Sequence, residues 1–292
     1  MSSIQKIKEK VFRTIEKFGL IEENDRIFVA ISGGKDSCSA LFLLKEFIQE
    51  KNLDVQLKAF FINLGYPNFE KIQEIVEKQA ELAKVNLIIF DASFLGKKIE
   101  EISRKSKRPI CSICGLTKRY LLNKIPRELG ATKLATGHHL DDFLTFSLKN
   151  LVSKNYSWTS KFLPKLKSNH PKLLTKIRPL FFITSSQTKQ FCSSLNIPIA
   201  KNLCPYTPIK LKKIKKWNEL TKFFEEKFGR NFKIQLLSSL IKISKKFEEK
   251  EEIKKCKICG EPTNQEICSF CKIFGKVEFD LNKQIVEMNF GD

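Results

Sequence analysis

Residues 26–46 read RIFVAISGGKDSCSALFLLKE. Residues 27–31 are a short apolar, β-branched run of the kind that forms a buried strand. Ser32, Gly33, Gly34, Lys35, Asp36 and Ser37 follow without a spacer, and Ala40, Leu41, Leu43, Leu44 and Phe47 then supply a helical apolar face. The order is strand, glycine-rich turn, helix. Two glycines let a backbone approach a phosphate closely, and the first-turn amides of the helix are unpaired donors at its positive end. Ser32 and Ser37 add hydroxyls and Lys35 adds a point charge. Ala30, at the strand end, Asp36 and the more distant Gly137 complete the candidate nucleotide site. A serine-capped turn accounts for Ser37 and one glycine, but not for the whole set. The longer Gly-x-x-x-x-Gly-Lys-Ser/Thr loop of common NTPases is a different pattern.

Working outward, residues 4–18 carry apolar positions at 4, 7, 11, 12, 15 and 18, an amphipathic helix expected to pack on the sheet. Residues 55–63, 85–90, 133–136, 177–182 and 197–200 read as further strands. Helices are expected over 69–82, 117–129, 143–152 and 185–195. This alternation predicts an α/β fold, a doubly wound parallel sheet with ligands beyond the carboxyl ends of its strands. The expected units are an N-terminal helix (1–24), the nucleotide domain (25–209), a basic helical segment (210–255), a four-cysteine module (256–275) and a tail (276–292). One strand is expected in the tail, over 276–281.

Charge narrows the partners. Fifty-three Lys and Arg against 32 Asp and Glu give a net charge of +21 over 292 residues. Lysine enrichment for thermal stability normally raises glutamate in parallel; here it does not, so a polyanion, with nucleic acid first, is the expected partner. Residues 153–175 interleave Tyr156, Trp158 and Phe162 with lysines, and residues 210–255 alternate apolar positions with dense lysine. No apolar run is long enough to cross a bilayer and the first ten residues are polar, so a cytoplasmic protein without membrane contact is expected. Nine cysteines without an export signal favour metal or redox chemistry over disulfides.

Cys256, Cys259, Cys268 and Cys271 form two C-x2-C pairs around a short turn with Gly260 and Pro262. That spacing suits a closed tetrahedral zinc site, Zn²⁺ held by four thiolates. Cys111, Cys114 and Cys204 are one pair and a distant third, each expected near the end of a strand. Three thiolates suit an iron–sulfur cluster with one open iron, or a relay carrying persulfide sulfur. The pair alone is equally half of a structural zinc site. Cys38 and Cys192 sit on apolar helical faces as core thiols. Asp141 and Asp142, after a strand and Gly137, suit Mg²⁺ or the orientation of an attacking group, where a helix N-cap would need only one. His138 and His139 take no assignment. Lys118, one turn past Cys114, either faces the same cleft or is solvated.

Together these motifs resemble the TtcA/TtuA-type tRNA 2-thiolation enzymes, a branch of the SGGxDS pyrophosphatase-loop enzymes that cleave ATP between its α and β phosphates. SGGKDS at 32–37, CSICG at 111–115, KRYLLN at 118–123, ATGHHLDD at 135–142, CPY at 204–206 and the quartet at 256–271 carry the likeness. It implies adenylation of a tRNA pyrimidine at its C2 oxygen, then replacement of that oxygen by sulfur. It further implies [4Fe–4S] ligation by Cys111, Cys114 and Cys204, and a sulfur donor that is sulfide or a ubiquitin-like thiocarboxylate protein. The assembly is left open by the sequence, a homodimer being one option. The knuckle-bearing branch thiolates uridine, with 2-thiocytidine as the alternative product. Departures are GHHLDD followed by Phe143, Ser185-Ser186-Gln187 where glutamates are usual, and no cysteine before Cys38. Rival readings are a lysidine-type or amide synthetase, which has no need of the three cysteines, and a non-enzymatic RNA-binding zinc protein.

Overall fold

The computed structural model describes residues 2–201, 204–247 and 252–291, with the side chains of 207–215, 218 and 230 outside that description. The chain runs through α1 (Ser3–Phe18), β1 (Arg26–Ala30), α2 (Lys35–Glu50), β2 (Gln56–Asn63), α3 (Phe69–Ala83), β3 (Leu87–Asp91), α4 (Ser93–Ser106) and α5 (Ile110–Glu128). It continues through β4 (Lys133–Thr136), α6 (Leu140–Val152), α7 (Tyr156–Ser160), β5 (Lys165–Leu166), β6 (Thr175–Ile177), α8 (Ser185–Ser194) and α9 (Thr207–Lys245). A two-stranded hairpin, β7 (Lys254–Lys255) with β8 (Pro262–Thr263), and β9 (Ile285–Met288) follow.

Seven strands make one sheet in the order β5-β6-β4-β1-β2-β3-β9. The five inner strands are parallel, with β5 and β9 antiparallel at the edges. From β1 the chain steps to β2 and β3 on one side, then returns to β4 and β6 on the other. The order therefore reverses between β1 and β4, the place where such sheets open a crevice for ligands. Ile27, Val29, Ala59, Phe60, Leu87, Phe90 and Ala135 are fully buried, as strands covered on both faces require. Burial of Phe60 or Phe90 contributes about 1.5–3 kcal/mol each.

Four expectations about elements change. α1 packs chiefly on α2 and α8, not on the sheet: Phe12 meets Phe47 edge-on at 5.0 Å, Lys8 pairs with Glu50 at 2.8 Å, and Ser3 donates to Gln190 at 2.9 Å. The strand expected over 177–182 lies earlier, at β6, because Pro179 has no N–H for a ladder and the following residues turn. Residues 197–200 are not a strand; the Ala200 N–H is spent on the Gly33 carbonyl at 2.9 Å, and Gln79 Nε2 holds the Pro198 carbonyl at 2.7 Å. In the tail, Val277, Phe279 and Leu281 pack on the core instead of pairing, and the strand is β9, in register with β3 from Leu87↔Met288 to Phe90↔Ile285.

Among the described residues the basic segment is helical as far as Lys245, and α9 breaks at Gly229, whose φ of 77° is outside the helical region. Beyond the break, Leu237, Leu240 and Ile241 pack on Leu140, Phe143, Leu144 and Phe181 in a second apolar cluster. One face of the second half of this lysine-rich stretch thus belongs to the core. The lysines expected at 210–215 lie outside the described side chains.

Candidate active site

The glycine loop occupies the crevice between β1 and β4. Gly34 is the N-cap of α2 and no side chain caps it, which leaves the positive helix end for an anion. The loop is braced internally: the Ser32 N–H donates to Ser37 Oγ at 3.2 Å, and Ser37 Oγ donates to the Gly34 carbonyl at 3.1 Å. Gly33 has φ +74° and a Cβ there would lie 2.9 Å from that of Ala200. At Gly137 a Cβ would lie 2.5 Å from the Ser37 nitrogen, so only glycine lets the turn after β4 rest on the first turn of α2. Lys35 stays inside the crevice, its Nζ 2.5 Å from Asp36 Oδ1, 2.9 Å from Ser185 Oγ and 3.1 Å from Thr188 Oγ1. Ala30 is half-buried at the strand end beneath the loop.

The two aspartates of α6 differ. Asp142 accepts the His139 N–H at 3.2 Å, the work of a helix cap. Asp141 Oδ2 accepts the Ser185 N–H at 2.8 Å, while its Oδ1 meets Lys233 Nζ, which also holds Glu225 at 2.8 Å. Lys233 is 1% exposed. Asp141 therefore stitches α6, α8 and α9 together, and its partner is a residue the sequence reading missed, hidden in a lysine-rich helix. His139 is buried beside the same acids, its Nε2 3.7 Å from Asp36 and 3.6 Å from Asp142.

Cys111 and Cys114 lie in the opening turns of α5, seven residues before the expected helix start. Pro109 precedes them as N-cap with φ −58°, a value pre-set for helix entry, and the i,i+3 spacing puts both thiols on one helical face. Cys111 Sγ is 4.0 Å from the Tyr206 carbonyl, two residues past Cys204. Burial pushes the Cys114 thiol up, Lys118 opposes this, and the charges of Cys204 and Cys111 act on it as well. The crevice thus brings the three cysteines and Lys118 together; Lys118 also lies 5.7 Å over the Phe69 ring.

Tyr66 and Tyr206, also missed from sequence, wall the cysteines. Their rings meet edge-on at 5.5 Å, and Tyr206 Oη bonds Glu100 of α4. The Tyr66 hydroxyl is buried, faces Cys114, and bonds no nitrogen or oxygen among the described residues. Burial pushes the Tyr66 phenol up, and burial with the Glu100 bond takes Tyr206 to about 12.

The quartet is self-contained. All four sulfurs lie within 4.8 Å of one another, and Cys259 and Cys268 are 3.8 Å apart. A tetrahedral ion with Zn–S of about 2.3 Å needs sulfurs about 3.8 Å apart, so the residues fit Zn²⁺. Burial disfavours the Cys256 thiolate, but backbone donors of Cys268, Cys259 and Ile258 outweigh it and hold that thiol down to about 6. Among the described residues this is the one group of three or more donors closing to such a spacing. The module is docked on α5: Arg127 grips Glu261 through two 2.8 Å bonds, Tyr120 stacks on Phe270 at 4.0 Å, and Lys172 Nζ holds the Gly260 carbonyl at 3.0 Å.

Comparison with known proteins agrees with this geometry. A family model described as a PP-loop domain matches residues 4–202. The tRNA-5-methyluridine(54) 2-sulfurtransferase of Thermotoga maritima is 37% identical over 284 residues, 95% of this chain and 90% of that protein. The tRNA-cytidine(32) 2-sulfurtransferase of Geobacter sulfurreducens is 34% identical over 212 residues, 69% of this chain and 76% of that protein. The U34-tRNA thiolase of Methanococcus maripaludis, solved with its [4Fe-4S] cluster, superposes with a TM-score of 0.78 at 25% identity, covering 95% of this chain and 91% of that one. No described helix is long and apolar enough to cross a membrane.

Proposed function

The chain belongs to the PP-loop family of tRNA 2-sulfurtransferases, and on that premise we propose that it replaces the C2 oxygen of a tRNA uridine with sulfur. Uridine, and position 54, is favoured because the 5-methyluridine(54) relative matches nearly the whole chain, whereas the cytidine(32) relative matches 69% of it.

ATP lies with its phosphates on the amides of α2, the hydroxyls of Ser32 and Ser37, and Lys35. Uridine O2 attacks the α-phosphorus, and the bond to pyrophosphate breaks toward the loop. The adenylated C2 then takes a sulfur nucleophile, supplied as sulfide or as the thiocarboxylate of a ubiquitin-like protein; in the second case water then cleaves the acyl–sulfur bond, freeing the donor's carboxylate and leaving the sulfur on C2. The C2–O bond breaks and AMP leaves with the former oxygen, so the exchange is redox-neutral. Donors fixed at the site of developing phosphate charge are worth about 10²–10³ in rate each. Lys118 offsets negative charge beside the cysteines. Asp142, its side chain 38% exposed, would hold Mg²⁺ against the phosphate oxygens, while Asp141, paired with Lys233, orients the start of α8.

Cys111, Cys114 and Cys204 would ligate a [4Fe–4S] cluster, which when bound offers a fourth iron where sulfur can reside. The buried Tyr66 hydroxyl, bonded to the Cys114 sulfur and to no nitrogen or oxygen among the described residues, suits that ligand set, since sulfur there accepts a donor. Tyr66, Tyr206 and Glu100 form the wall beside this set. Cys256, Cys259, Cys268 and Cys271 would hold Zn²⁺ as a closed structural site.

One observation carries the reading. The Ala200–Gly33 bond ties the segment leading to Cys204 onto the phosphate loop, so activation and sulfur delivery share one crevice. The test is anaerobic incubation with ATP, sulfide and unmodified tRNA, followed by nucleoside mass spectrometry and mapping. Sulfur at uridine 54 is expected; sulfur at position 34 moves the target, and none at all with iron fully loaded removes the reading.

A further inference from the structure

Arg119, Lys176 and Arg178 stand together with no ion-pair partner among the described residues. Asn123 of α5 is bonded on both sides to the chain entering β6: its Nδ2 donates to the Lys172 carbonyl at 2.8 Å, and its Oδ1 accepts the Leu174 N–H at 3.0 Å. Arg119 is one helical turn nearer the start of α5, and Lys176 is two residues further along the strand. α5 turns back into β4 across residues 129–132, and β6 is parallel to β4. The start of the helix and the end of the strand therefore point the same way. One turn rises about 5.4 Å and two strand residues about 6.6 Å, so Arg119 and Lys176 stay level. Strand alternation carries Arg178 up the same face.

Arg178 spends its Nη1 on the Lys161 and Leu163 carbonyls at 3.1 and 2.6 Å and lies 5.2 Å over the Phe143 ring, all neutral partners. Burial lowers its pKa to about 10. Burial, then the charges of Arg178 and Arg119, push the Lys176 ammonium down. No described acidic side chain is ion-paired with any of the three. A fold that gathers cations at a partly desolvated place without anions gives up stability there, and it does so at the strand-end face that carries the phosphate loop and the cysteines.

We propose that Arg119 and Lys176, with Arg178 behind them, form a docking site for a phosphate oxyanion beside the crevice. The chemistry is shared by two sources, a backbone phosphate of the tRNA and the triphosphate of ATP. The net charge of +21 and the site's position on the β6 side, away from the β1 loop, make tRNA the expected one. The inference rests on the tRNA reading above.

The experiment uses the full chain with Arg119→Gln and Lys176→Met. Equilibrium binding of tRNA is measured against KCl concentration, ATP binding is measured without tRNA, and thermal unfolding is followed for each variant. The expected result is a rise in the tRNA Kd on the order of tenfold per variant, with the log–log salt slope reduced by about 0.7–0.9 per lost contact. ATP affinity stays unchanged, and Lys176→Met melts no lower than the parent because a repulsion is gone. Weaker ATP binding with an intact tRNA slope assigns the phosphate to the nucleotide. Folded variants with unchanged affinity for both ligands overturn the site. If Lys176→Met does not fold, Arg119→Gln, at the more exposed end of the group, decides alone. A parent protein that binds no tRNA at any salt removes the premise; a parent that binds tRNA while both variants keep its slope removes only this site.

Discussion

The C-terminal quartet and the three cysteines of the crevice solve opposite problems. The quartet draws four sulfurs from residues 256–271, shaped by one hairpin and one turn, with backbone donors already aimed at Cys256 and Cys268. Its geometry is local, so its spacing is visible in sequence. The crevice set takes two thiols from the start of α5 and a third about ninety residues later, and needs Tyr66, Tyr206 and Glu100 to hold it. The first set is closed by a short peptide, whereas the second is assembled by the whole fold. The two are also joined. Arg127, Tyr120 and Lys172 fasten the quartet to α5 and its neighbouring loop, and α5 is the helix that presents Cys111 and Cys114.

The sharpest way to break the contrast is to remove one thiol from each set. Cys111→Ala or Cys114→Ala should take tRNA thiolation to background and remove iron while zinc stays at parent level, read by metal content and nucleoside yield. Cys268→Ser should lose zinc and with it ligation on the order of 10–16 kcal/mol that folds the module. Because the module is docked on α5, its loss should extend beyond the tail: calorimetry should show a lower main transition, with iron retained and thiolation down about tenfold. An unchanged main transition would mean that the quartet is an isolated appendage.

How far these features were legible follows from where their causes lie. The loop at 32–37, the strands β1 to β4 and the quartet are set by local pattern: apolar runs, glycines, paired cysteines. The strand expected over 177–182 failed on Pro179, a local signal that deserved more weight than the apolar run around it. The tail differs for a tertiary reason, since Phe279 packs against Phe90 and Tyr120 and Val277 against the core, and nothing local separates them from a paired strand. Lys233 was invisible for the same reason. Its burial depends on Asp141 and Glu225 arriving from both sides, and a lysine among lysines gives no sign of that.

Two smaller effects sharpen the comparison. Lys35→Ala should slow pyrophosphate release about 10²–10³-fold without moving iron or zinc, which separates activation from both cysteine sites in a coupled phosphate assay. Arg127→Ala leaves Glu261 buried beside only Lys124, 3.6 Å away. Loss of a buried partner of this kind costs about 3 kcal/mol, which denaturant titration would resolve, and zinc content should remain at parent level. A variant as stable as the parent would show that aromatic stacking on Tyr120 suffices to dock the module.

The most direct measurement follows pyrophosphate and thiolated uridine in one anaerobic reaction of Cys204→Ala with ATP, sulfide and tRNA. The predicted result is uncoupling: pyrophosphate is still released with tRNA present, because the loop at 32–37 is intact, while thiolated nucleoside stays at background. Full thiolation by Cys204→Ala would contradict the account and return Cys111 and Cys114 to a structural pair.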